Sequence, residues 1–220
     1  MKMITLGYLE EDKGHRFTFN RVFKKDFHVE FLDDPNLLST TDDLIKQIEE
    51  RQLDVLAVDY KLADSGWLPY NGDDVIKALW EKKRYFPVFM LTSYPSDAMS
   101  KLDNVFLVND KNIMSDKESA QDDEKSLASL KEKIKKSVEN YKSIVSTREK
   151  RTRELEAKQD TKEGLSDEEE KELLELHIEL QAIDPHANPL SPADMETKSV
   201  KDLRELVNLS RGLLEKIRKD

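Results

Sequence analysis

The hydrophobic pattern of the chain changes character once. Up to about residue 110, short apolar runs alternate with segments of helical period. Ile4–Leu9, Val29–Leu32, Val55–Val58, Val88–Leu91 and Val105–Val108 are short β-type runs, and they predict five strands. Between them lie helical patterns around Arg16–Lys25, Thr41–Gln52 and Asp73–Lys83. The last of these has Val75, Ile76, Leu79 and Trp80 on one face. Strands separated by helices of this length predict an α/β domain with a five-stranded parallel, doubly wound sheet covered on both faces. In such sheets ligands sit beyond the carboxyl ends of the strands.

Past this point the strands stop. The polar stretch 112–123 separates the α/β domain, placed at 1–118, from a helical region at 119–220, with Ser119 or Asp122 as a helix cap. A long helix is predicted over about 124–158, with Leu127, Leu130, Ile134, Val138, Tyr141, Val145, Arg148 and Leu155 near a 3–4 spacing. Gly164 interrupts it, and a second helix over about 166–184 opens with Ser166 and Glu169 as a capping box. Pro185, Pro189 and Pro192 enforce an extended connector before a third helix over about 198–219. A first helix of about 36 residues reaches roughly 54 Å, more than the sheet needs. Its narrow apolar stripe is a coiled-coil pattern. Two uses follow: a self-packed helical hairpin with a third helix, or a surface for a homodimer or a protein partner.

Composition sharpens this division. Every aromatic residue except Tyr141 precedes residue 110, so the core belongs to the first half. Residues 1–123 hold 16 Lys and Arg against 24 Asp and Glu, and residues 124–220 hold 20 against 22. Neither half offers the basic face that phosphate-backbone binding requires, so no nucleic-acid partner is expected. The absence of cysteine excludes a thiol nucleophile and a Cys-type zinc site, and it suits a reducing compartment. The amino-terminal apolar run meets acid at Glu10, unlike a signal peptide, and no window approaches a membrane span. The expectation is a soluble, cytoplasmic protein.

The predicted strand ends bring a specific chemistry to one edge. Strand one leads into Glu10, Glu11 and Asp12; strand three ends at Asp59; strand four ends at Thr92 and Ser93; strand five runs into Lys111. Converging carboxylates without a base partner suit a hard divalent ion such as Mg²⁺. An ionised Asp beside that ion can attack phosphorus to give an acyl phosphate. The metal and a Lys ammonium neutralise the charge that develops on the phosphoryl oxygens. The order acid pair, Asp, Thr, Lys on strands one, three, four and five is more specific than any member alone.

On these residues the first ~118 positions resemble the receiver domain of response regulators in two-component signalling. The resemblance implies Asp59 as the phosphorylation site. It implies Glu10, Glu11, Asp59 and the backbone carbonyl of Lys61 around Mg²⁺, with Glu11 as the direct ligand of the acid pair and Arg16 following at the usual distance. Thr92 and Lys111 become the phosphate-stabilising and switch residues, and Phe106 the aromatic that couples the site to the output face. The segment Asn71-Gly72-Asp73-Asp74-Val75-Ile76 resembles the turn that opens the third helix. This sequence departs from the family in four places. Asp59 to Gly72 spans 13 residues, implying an insertion within Leu62–Tyr70. Thr92 to Lys111 spans 19, implying a curtailed fourth helix. Asn112 stands where the family has Pro, and Val108 lies nearer the coupling position than Phe106.

The resemblance implies a signalling protein, phosphorylated by a histidine kinase or a small phosphodonor, with output through the helices by dimerisation or partner binding. No enzymatic turnover is expected beyond self-phosphorylation and autodephosphorylation. The alternative is a pseudo-receiver, a scaffold that binds its partner constitutively. A haloacid-dehalogenase-type phosphatase needs a second Asp two residues after the first, where Lys61 stands, and no G-x-x-x-x-G-K-[ST] loop occurs. His15, His28, His177 and His186 lack metal-ligand spacing and read as surface or cap residues.

Overall fold

The computed structural model describes residues 2–114, 120–161, 163–185 and 188, with backbone alone at 120–124. It divides into two compact units, Met1–Ser143 and Ile144–Asp220.

The first unit holds five parallel strands in the order β2-β1-β3-β4-β5. They are β1 (Thr5–Leu9), β2 (His28–Leu32), β3 (Val55–Val58), β4 (Val88–Thr92) and β5 (Val108–Asp110). Every residue of β1, β3 and β4 is buried, which is why these strands read as unbroken apolar runs. Helices α1 (Lys13–Phe23), α2 (Thr41–Glu50), α3 (Gly72–Lys82) and α4 (Pro95–Met99) connect them. The period-2 alternation of the strands splits the core into two faces. One cluster joins Leu9, Leu56, Val58 and Met90 to Leu44 and Ile48 of α2 and to Val75 and Leu79 of α3. The other joins Leu6, Tyr8, Ala57 and Leu91 to Phe19 and Phe23 of α1.

This second face is completed by the start of a long helix, α5 (Ala120–Gln159), through Leu130, Ile134 and Val138. The first compact unit therefore runs beyond residue 118, because the sheet recruits that stretch of helix to cover it. Asp26 fixes the stretch by accepting from Lys131 at 2.9 Å and Lys135 at 3.3 Å.

Two sequence expectations for the strands need correction. The fifth strand is not Val105–Val108: Val105–Leu107 form a 3₁₀ turn, capped by Asn104, and pairing begins at Val108. Phe106 is consequently 92% exposed and is not a strand residue. The fourth helix is curtailed to five residues, as the spacing implied.

The insertion after Asp59 is packed rather than solvated. Leu62, Leu68 and Tyr70 are buried in the α2/α3-side core, and the Tyr70 hydroxyl donates to the Leu38 carbonyl at 2.8 Å. Ala63 N–H donates to Asn71 Oδ1, tying the loop to the start of α3.

In the second unit, the last part of α5 pairs with α6 (Asp167–Ile183). The partners Arg148–Glu179, Arg151–Glu172 and Lys158–Glu169 run in opposite chain directions, which makes an antiparallel hairpin. Gly164, at φ 65°, takes the left-handed conformation its turn requires. Ser166 and Glu169 form the expected capping box. The third predicted helix, and the Ser119 cap, lie outside the described residues. Among the described residues no helix is long and apolar enough to cross a membrane.

Candidate functional site

The parallel strands place their carboxyl ends along one edge, and the chain turns there at Glu10, Asp59, Thr92 and Lys111. Asp59 follows the last residue of β3, and its N–H donates to the Leu9 carbonyl at 3.0 Å, which fixes its backbone. Gly72 opens α3 directly against it: a Cβ there would stand 2.2 Å from the Asp59 carbonyl oxygen. Only glycine lets α3 approach the Asp59 backbone so closely.

Lys111 is the centre of the charge arrangement. Its Nζ donates to Glu10 Oε2 at 2.6 Å and to Asp59 Oδ1 at 2.9 Å, and all three side chains are buried. A third contact, at 3.3 Å, reaches His15 Nδ1. Burial pushes the Asp59 carboxyl above its ordinary range, although the Lys111 ammonium pulls the other way. Glu10 is also penalised by burial, but Lys111 and the hydrogen bonds from Lys111, Tyr8 and Asp12 outweigh it and hold this carboxyl low. The Lys111 ammonium loses solvation, yet the charges of Asp59 and Glu10 keep its pKa raised.

Glu10, Glu11 and Asp59 present carboxylate oxygens that lie within 4.8 Å of one another. Their states differ. Glu10 is occupied by Tyr8, Lys111 and Asp12, whereas Glu11 Oε2 is buried without a hydrogen-bond partner. Burial raises the Glu11 pKa, and the neighbouring charges of Glu10 and Asp59 add to this. A buried, unpartnered carboxylate oxygen beside two further carboxylates is an oxygen-only donor set, which fits a hard divalent cation. Asp12 stands apart from this set, because its side chain caps α1 by accepting from His15 N–H.

These groups line an open cleft of ≈ 450 Å³, together with Lys61, Asp64, Ser65, Ser93 and Tyr94. The Lys61 ammonium lies over the Tyr94 ring at 3.8 Å, close to Asp64 and Asp97. Thr92 is fully buried at the end of β4, and its Oγ1 accepts the Tyr94 N–H at 3.1 Å. Arg16 donates to the Glu10 carbonyl at 3.0 Å and so supports the β1–α1 turn.

The structure thus gathers Glu10, Glu11, Asp59 and Lys111 at one edge, with Lys61 beside them and Thr92 ending the adjacent strand. Phe106 stays outside this group. His15 is a surface residue at the start of α1, as read from the sequence, and its ring faces both Lys111 and Glu10. Tyr8 escaped the sequence reading because an aromatic inside a strand run looks like core. Its spacing from Glu10 was the available signal, because residues two apart on a strand share a face.

No protein-family model and no curated protein sequence matches the chain. Among solved structures, it is similar to the RcsB response regulator of Salmonella typhimurium, described for its conformational dynamism in DNA interaction. That likeness has 16% identity and a TM-score of 0.41, over 81% of this chain and 78% of that one. The parallel order β2-β1-β3-β4-β5, with helices on both faces, gives the first unit a receiver-like, flavodoxin-type α/β fold.

Proposed function

We propose that this chain is a phospho-acceptor signalling protein of the receiver type, in which Asp59 takes a phosphoryl group with the help of Mg²⁺. The observation that carries the reading is the buried Asp59–Lys111–Glu10 contact beside the unpartnered Glu11 oxygen. Glu11 and Asp59 would hold the cation, with the Lys61 carbonyl as a further ligand, and the cation would supply charge neutralisation for the incoming phosphate. Asp59 Oδ attacks the phosphorus of a histidine kinase's phosphohistidine or of a small phosphodonor, and the donor's bond to phosphorus breaks. Lys111, already on Asp59, follows the charge onto the phosphoryl oxygens. The Thr92 oxygen accepts the Tyr94 N–H, which leaves its hydroxyl proton to donate to a phosphoryl oxygen. Beyond this self-phosphorylation and its reversal, no catalytic turnover is assigned to the chain.

Output passes through the helices, by dimerisation or by docking of a protein partner, rather than by binding nucleic acid. The net charge of −10 supports that choice. A cytoplasmic location agrees with the lack of cysteine. The second reading, a pseudo-receiver that binds its partner constitutively, is favoured by Phe106, which the fold leaves uncoupled in a surface turn. Beryllofluoride with Mg²⁺ separates the two. A change in oligomeric state or partner affinity is expected of the switch, and indifference of the full chain would leave the scaffold.

A further inference from the structure

Tyr8 is a fully buried polar side chain at this edge that phosphoryl chemistry does not itself require. Its ring is fully buried and stacks on Phe19 of α1, with centroids 3.9 Å apart and planes 14° from parallel. Phe19 in turn stacks on Phe23 at 4.4 Å. This packing fixes where the phenol points, and its hydroxyl donates to Glu10 Oε2 at 2.7 Å. The same oxygen receives Lys111 Nζ at 2.6 Å, while Glu10 Oε1 receives the Asp12 N–H at 3.1 Å. Glu10 therefore meets three donors, and Glu11 Oε2, one residue on, meets none.

We infer that Tyr8 is a positioning residue that commits Glu10 to Lys111 and leaves the divalent cation to Glu11 and Asp59. The inference rests on the proposed cation site and adds to it the residue that keeps Glu10 out of it. Two donors on one carboxylate oxygen fill its lone pairs and lower the negative potential it offers to a cation. Without the phenol hydroxyl, Oε2 regains a free lone pair and Glu10 competes for the ion. The site would then bind the cation more tightly but draw Glu10 away from the ammonium that must serve Asp59.

The test is calorimetric titration of the full chain with Mg²⁺ alone. Tyr8→Phe keeps the ring and its stacking, and it is expected to tighten Mg²⁺ binding by about threefold to tenfold, the scale of a charge-assisted hydrogen bond partly lost. The gain should vanish in a Glu10→Gln background, where the anion that Tyr8 restrains is gone. A merely structural role would weaken binding or leave it unchanged. Either of those results, with wild-type binding intact, overturns this inference and spares the proposed function. A wild-type chain that takes up no Mg²⁺ overturns both. Should Tyr8→Phe fail to fold, carboxyl ¹³C NMR of the wild type decides. Saturation with Mg²⁺ is expected to shift the Glu11 and Asp59 carboxyl carbons more than that of Glu10, and the reverse order contradicts the inference.

Discussion

Replacing Lys111 by Met removes an ammonium that stands 2.6 Å from Glu10 Oε2 and 2.9 Å from Asp59 Oδ1. The side chains are only 8%, 1% and 8% exposed for Lys111, Glu10 and Asp59, so water replaces the lost contact only in part. Met fills most of the space of the Lys stem, and the perturbation is one of charge. Removing one partner of a buried ion pair costs about 3–5 kcal/mol. At about 2–4 °C per kcal/mol for a unit of this size, melting should fall by about 6–20 °C near neutral pH in the presence of EDTA. The sign of the pH dependence follows from the same geometry. Without the ammonium, burial and mutual repulsion raise the folded-state pKa of both carboxyls above their unfolded values. Groups of that kind contribute stability below the unfolded pKa and lose it as pH rises through the folded one. The deficit of the variant should therefore narrow as pH falls toward about 4, the ordinary carboxylate value, and widen above it. Mg²⁺ should restore more stability to the variant than to the wild type, because it meets an unneutralised carboxylate pair. Thermal melting followed by circular dichroism, over a pH series with EDTA or Mg²⁺, measures all three effects. A variant that melts with the wild type near neutral pH, or a deficit that ignores pH, would refute the assignment of Lys111 as the neutralising charge.

Gly72→Ala places a methyl 2.2 Å from the Asp59 carbonyl oxygen, so the backbone must shift. A loss of about 1–3 kcal/mol in urea denaturation and slower phosphorylation at Asp59 are expected together. Asp26→Asn removes the carboxylate that Lys131 and Lys135 share. Hydrogen bonding from Lys131, against a burial penalty, holds the Asp26 pKa low, so its stabilisation is present above the unfolded pKa and lost as pH falls through the folded one. The variant should be weaker by up to about 1 kcal/mol at neutral pH, with the gap closing on acidification, by urea denaturation at two pH values. Phe106→Ser should change stability by less than about 0.5 kcal/mol, and it should leave any beryllofluoride response intact, because that ring touches solvent rather than the site.

The sheet and its acidic edge were legible because both follow from local pattern. Fully buried parallel strands leave continuous apolar runs, and each run is followed at once by its polar end residue, as at Val58–Asp59 and Leu9–Glu10. The fifth strand misled because Val105, Phe106 and Leu107 have strand-like composition, while Asn104 caps a 3₁₀ turn that leaves Val105 and Phe106 exposed and only Leu107 against the core. The reach of the first unit past residue 118 was hidden for a different reason. Leu130, Ile134 and Val138 carry the same 3–4 spacing whether they cover a sheet or another helix. Tyr8 was missed because its role depends on which side of a strand it faces.

The central claim is that Asp59 is the phosphoryl acceptor. Acetyl phosphate with Mg²⁺, followed by peptide mapping before and after hydroxylamine, addresses it directly. The account predicts one hydroxylamine-labile adduct on the peptide carrying Asp59, absent in Asp59→Asn and strongly reduced by EDTA. No adduct on the wild type, or a labile adduct that survives in Asp59→Asn, would contradict it.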